Sequence, residues 1–152
     1  MSRRILAVAS VLLFGSLARA QHFEIEPVVY RGDPKGSKEA GTLKQVAAPS
    51  LVAKSGESAS LLVGGQILIG QQKVPVGRQV HVTATEIKDG AIRVEAVFEL
   101  GEVTGRGATP QVTNTKTQTT ATIQSGGSLR LELGKDPKDL HWVEITVRKA
   151  KR

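Results

Sequence analysis

The chain has 152 residues, with 21 Lys and Arg against 14 Asp and Glu and no cysteine. That length suits one domain with a modest core, and the missing thiols exclude a disulfide scaffold and a cysteine nucleophile. Aromatic residues make up only 3% of the chain, too few to interleave with bases, so no nucleic-acid partner is expected.

Ser2-Arg3-Arg4 opens the chain with positive charge, and Ile5 to Leu17 is a largely apolar run without charge. Ala18-Arg19-Ala20 then places small residues where a signal peptidase reads. This order predicts a cleaved secretory signal over residues 1–20, with Gln21 first in the mature chain. The apolar run is shorter than the roughly 20 residues a transmembrane helix needs. Export to the periplasm or outer membrane of a bacterial-type envelope is therefore expected. Residues 1–20 hold three of the 21 basic residues and no acid, so the remainder carries 18 bases against 14 acids, net +4. The closing Lys149-Ala150-Lys151-Arg152 reads as a solvated basic tail. An exported domain without disulfides depends on its own core, on a partner or on oligomerisation.

Residues 21–46 hold Pro27, Arg31-Gly32-Asp33-Pro34, Gly36 and Gly41, and read as a flexible lead-in with room for one edge strand. Arg31-Gly32-Asp33 reads as a turn before Pro34 rather than an adhesion ligand. A helical turn, if there is one, falls within Ser37 to Ala47. From Leu51 the side chains alternate with period two, which is strand behaviour. Leu51 to Lys54 leads into a turn at Ser55-Gly56-Glu57. Ala59, Leu61 and Val63 then oppose Ser58, Ser60 and Leu62. Gly64-Gly65 predicts a bulge or bend, followed by Gln66 to Ile69 and a turn at Gly70-Gln71-Gln72.

Val80, Val82 and Ala84 share a face, and Asp89-Gly90 suits a hairpin turn because both residues tolerate positive φ. Ile92, Val94, Ala96, Phe98 and Leu100 line one face of the next strand, with Arg93, Glu95 and Glu99 on the other. A glycine-rich loop is expected over residues 101–110, then a threonine-rich strand from Thr113 to Ile123. Ser125-Gly126-Gly127 turns into Leu129, Leu131 and Leu133, and Leu140 to Val147 closes the series. The expected class is all-β, a single antiparallel sandwich or open-barrel-like domain over residues 47–148.

The chemistry of catalysis is missing. There is no Gly-x-Ser-x-Gly elbow and no phosphate-binding glycine loop. His22, His81 and His141 lack metal-ligand spacing. Copper binding through an N-terminal His22 would require cleavage after Gln21, a poorer site than Ala18-Arg19-Ala20. Glu95 and Glu99 read as a solvated strand face. No catalytic residue, metal or cofactor is expected.

Read together, residues 47–147 resemble the secretin homology domain, the C-terminal β domain of outer-membrane channels in type II and type III secretion and type IV pilus systems. Pro49 with Leu51-Val52 resembles the family's opening proline and strand. Gly56, Ala59 and Gly64 stand where its following hairpin has glycine, alanine and glycine. Gly77 leads a strand similar to the family's, and Gly90 turns the next hairpin. Pro110, the threonine-rich strand around Thr119, and the Gly126-Gly127 turn form the most specific stretch. Departures accompany the likeness. The family's periplasmic ring domains are missing, and the stretch between Gly65 and Gly77 is too short for its gate hairpins.

The resemblance implies a non-enzymatic envelope protein. It would act by oligomerising with itself, for example as a ring, or by joining secretion or pilus machinery. Membrane contact lacks support from an aromatic girdle. The alternative is a soluble periplasmic β-sandwich that binds a ligand or protein without forming a pore.

Overall fold

The computed structural model describes residues 21–32, 44–105, 110–134 and 140–151. The expected signal, residues 1–20, lies outside them. Among the described residues the chain forms nine strands: β1 (His22–Arg31), β2 (Lys44–Ala47), β3 (Leu51–Lys54), β4 (Ser58–Ile69), β5 (Gln72–Glu86), β6 (Ile92–Thr104), β7 (Gln111–Ile123), β8 (Gly127–Leu133) and β9 (His141–Lys149). The only helical element described is a 3-10 turn at Lys88–Gly90, where Asp89 and Gly90 take φ of 63° and 75°. Both values are in the left-handed region that an Asp-Gly pair accepts.

The strands divide into two antiparallel sheets. Sheet I has the order β2-β1-β9-β8, with β3 pairing the same outer side of β1 as β2. Sheet II is the meander β4-β5-β6-β7. The turn at Ser125-Gly126 carries the chain from β7 in sheet II to β8 in sheet I, and Gly126 takes φ of 89° there.

Period-two alternation gives each sheet one greasy face, and the two greasy faces meet. Phe23, Ile25, Val29, Val143, Ile145 and Val147 come from sheet I. Val80, Val82, Ile92, Val94, Ala96 and Phe98 come from sheet II. Each large side chain buried this way contributes about 1.5–3 kcal/mol by leaving water. The result is an all-β sandwich without a closed barrel, in agreement with the expected class.

Three expectations are corrected. Residues 22–31 are not a lead-in: they form β1, an interior strand of sheet I whose Phe23, Ile25 and Val29 are fully buried. Lys44–Ala47 is a short strand against the end of β1 rather than part of a helical turn. Residues 101–104 continue β6 instead of opening a loop, because they pair with Gln111 to Asn114 of β7. The Arg31-Gly32 step is the exit from β1, with the buried Gly32 N–H donating to the Leu140 carbonyl at 2.8 Å. Asp33 lies outside the described residues.

Candidate assembly surface

The two sheets end very differently at their edges. Sheet I is bordered on one side by β2 and β3, four residues each, separated by a connection containing Pro49. Its other border is β8, seven residues carrying Arg130 and Glu132. Short strands, proline and charge are the usual means of blunting a sheet edge. Sheet II has almost none of these. Its borders are β4, twelve residues with no charged side chain, and β7, thirteen residues with Lys116 alone. Among the described residues, each presents one unpaired row of backbone donors and acceptors.

Sheet II is creased by a row of glycines. Gly64 of β4 pairs with Gly77 of β5, and Gly77 pairs with Gly101 of β6. A Cβ on Gly64 would lie 2.1 Å from the Val76 carbonyl oxygen, and one on Gly77 would lie 2.4 Å from the Val63 carbonyl oxygen. Their φ values of 156° and 110° also sit where side chains are strained. Beyond this row the β4–β5 hairpin continues to a tight turn at Gly70-Gln71, exposing Leu68.

The outer face of sheet II is hollowed into a groove of about 430 Å³ lined by Ser58, His81, Thr83, Glu95, Gln118 and Thr120, among others. Ser60 Oγ and His81 Nδ1 are hydrogen-bonded at 2.8 Å. The acid of the groove, Glu95, is instead paired with Arg93 at 2.9 Å. A serine–histidine pair therefore exists without the orienting carboxylate that a hydrolytic triad uses. Among the described residues, no three of His, Asp or Glu gather as metal ligands. The three histidines are dispersed: His22 begins β1, His81 faces the groove, and His141 is buried at the start of β9.

A second polar cluster closes one end of the sandwich. Arg78 Nε donates to His141 Nδ1 at 3.1 Å. Burial, with repulsion from Arg31 in addition, lowers the Arg78 guanidinium from its usual value, while Glu102 pulls the other way. On the outer face of sheet I, Tyr30 stacks on Trp142 with ring centres 4.0 Å apart, and Arg130 lies 4.3 Å from the Trp142 ring. The Trp142 indole N–H donates to the Gly32 carbonyl at 3.2 Å.

The residues singled out from sequence sit at turns, pairs and strand openings rather than in one pocket. Pro49 lies between β2 and β3, Gly56 in the β3–β4 turn at φ of 83°, and Gly90 in the 3-10 turn. Ala59 points inward against the core, and Thr119 stands opposite Ala96. Pro110 immediately precedes β7, and Gly126 and Gly127 make the crossing to β8. Gly64 and Gly77 alone come together. Their partner Gly101 reads in the sequence as the start of a loop, because it follows an apolar strand. The scarcity of charge in β4 and β7 is legible in the sequence, but their place at the borders is not.

Two antiparallel sheets, one left open at long and nearly uncharged borders, make up the β domain. No protein-family model matches the chain, and no curated protein matches its sequence. Solved secretins match its fold. The type II secretion system secretin GspD of E. coli K12 superposes with a TM-score of 0.58 at 12% identity, over 88% of this chain and 51% of that one. PulD, from the type II outer membrane complex of Klebsiella pneumoniae, gives 0.56 at 10% identity, over 88% and 41%. The InvG secretin domain β-barrel of the Salmonella SPI-1 injectisome gives 0.50 at 14% identity, over 88% and 64%. The chain thus spans between 41% and 64% of these three secretin chains. At such identities the shared feature is the fold.

Proposed function

We propose that this chain is a non-enzymatic structural protein of the cell envelope that joins copies edge to edge through sheet II, as a ring of its own or as part of a secretion complex. The observation that carries this reading is the pair of long, nearly uncharged borders on one sheet, β4 and β7. Four alternating strands per copy mean that β7 of one copy, laid beside β4 of the next in the same orientation, continues the antiparallel order. The contact is head to tail, so the series closes when the rotation between copies allows it, and closure leaves no edge of sheet II exposed. Sheet I, with blunted borders, backs the wall. The fold shared with secretins supports the same reading, and the sequence of residues 1–20 supports export to the periplasm or outer membrane.

Native mass measurement of the mature chain, from soluble and detergent-extracted membrane fractions, tests this function. A high-mass species that dissociates on heating is the expected result. A monomer in every fraction would overturn it in favour of a soluble sandwich that binds its ligand in the groove of sheet II.

A further inference from the structure

The two faces of sheet II are chemically opposite. One is covered by sheet I, and the other carries the groove around His81. A sheet that closes on itself is concave toward its axis, and the hollowed face here is the groove face. Below the glycine row the charges on that face cancel in pairs, Arg93 with Glu95 at 2.9 Å and Lys116 with Glu99 at 3.5 Å, while Lys73 stands on the same face beyond the row. β4 contributes Ser58, Ser60 and Leu62 and no charge, while β5 contributes Gln79, His81 and Thr83 below the glycine row. Among the described residues of this face, His81 is left as the one side chain of a type whose charge changes between about pH 5 and 8.

We propose that, in the assembled ring, the His81 face of sheet II lines a water-filled passage whose fixed charges below the glycine row are balanced, and that His81 sets the charge selectivity of that stretch. The inference rests on the ring reading above. At four strands per copy, an eight-stranded closure is filled by side chains, whereas about 16 strands leave an aqueous channel, so a passage needs about four copies or more. Each copy then adds one imidazole to the lining. When the imidazoles are neutral the lining has no net charge from these groups. Protonation adds one positive charge per copy without breaking either ion pair, and the passage comes to favour anionic solutes. Ser60, hydrogen-bonded to Nδ1, holds the ring in place on the wall.

The absence of cysteine makes the test direct. Gln118→Cys places a thiol on the groove face two strands from His81, and Val52→Cys places one on the exposed outer face of sheet I. Each is labelled with an anionic and a cationic methanethiosulfonate at low ionic strength, at about pH 8 and pH 5.5. The ratio of the two rates cancels the thiolate fraction and reads local potential.

In assembled protein the anionic-to-cationic ratio at Gln118→Cys is expected to rise about three-fold on acidification. It should stay flat when His81→Gln or His81→Asn is added, and at Val52→Cys throughout. A bulky polymer maleimide should reach Val52→Cys and be excluded from Gln118→Cys. An assembled protein with a flat ratio, with an equal rise in the His81 variants, or with Gln118→Cys open to the polymer overturns this inference and leaves the ring intact. A preparation that is monomeric by native mass overturns the ring reading itself.

Discussion

Gly64 and Gly77 face each other across β4 and β5 so closely that neither can carry a Cβ without meeting the other strand's backbone. The obstruction on each side is backbone, which cannot swing away as a flexible side chain would. Gly64→Ala and Gly77→Ala are each expected to destabilise the fold by about 2–4 kcal/mol, combining positive-φ strain with the clash. The neighbour Gly65 has nothing within 4 Å of an added Cβ, so Gly65→Ala should be neutral or stabilise by a few tenths of a kcal/mol. Urea titration of the three variants checks the contrast.

Phe98 is fully buried on β6, beside Val80 of β5 and opposite Thr117 of β7. Phe98→Ala should cost about 3–5 kcal/mol, a large share of the 5–15 kcal/mol that holds a domain of this kind. Ile145→Val, deleting one methylene from the facing sheet, should cost about 0.5–1.5 kcal/mol. Denaturant midpoints measure both, with unchanged slopes showing that the same surface unfolds.

The inward-facing series from Ala59 to Leu133 is readable from sequence because β4, β5, β6 and β8 each keep an apolar face, while β7 shows itself by its β-branched threonines. β1 reads from sequence as no more than one edge strand in a lead-in, although Phe23, Ile25 and Val29 alternate in the same way. Pro27 stands in their midst, and proline inside a run argues for an edge or no strand at all. It is tolerated because β3 pairs residues 22–25 and β2 pairs 29–31, so Pro27 sits opposite the break between them. Among the described residues, no strand on that side pairs with Pro27 and asks for its missing N–H. Nor does any local pattern state that β7 and β8 lie in different sheets: that crossing depends on packing between distant strands. The edge asymmetry was half legible, since the absence of charge in β4 is written in the sequence while its border position is not.

Trp142 is the only tryptophan in the chain and is 3% exposed, held between Tyr30 and Arg130. Its emission should be blue-shifted in the folded protein. Tyr30→Ala should move it to the red and cost about 1 kcal/mol beyond the area lost, the usual value of a stacked aromatic pair. Steady-state fluorescence and a thermal melt read the two effects.

Arg31 and Arg78 repel each other at the end of the sandwich, and Glu102 opposes that repulsion. Glu102→Gln should therefore destabilise the fold slightly, by less than about 1 kcal/mol because Glu102 is exposed and solvent screens it. The loss should shrink as salt is added, since screening weakens the Arg31–Arg78 repulsion as well. Melting temperatures in low and high salt decide the sign.

The joining of β7 to β4 of a neighbouring copy is tested most directly by disulfide trapping in this cysteine-free chain. Ser60 and Gln118 lie on opposite borders of sheet II, with β5 and β6 between them. At about 4.8 Å per strand they are too far apart for a bond within one chain, which needs Cα atoms closer than about 7 Å. Ser60→Cys is combined in turn with a cysteine at Lys116, Gln118 or Thr120, and the mature protein is oxidised and run without reductant. One pairing should give a ladder of multimers ending in a single closed species, reversed by reductant. Monomer alone at all three positions, from protein shown to be folded, would contradict assembly through these edges.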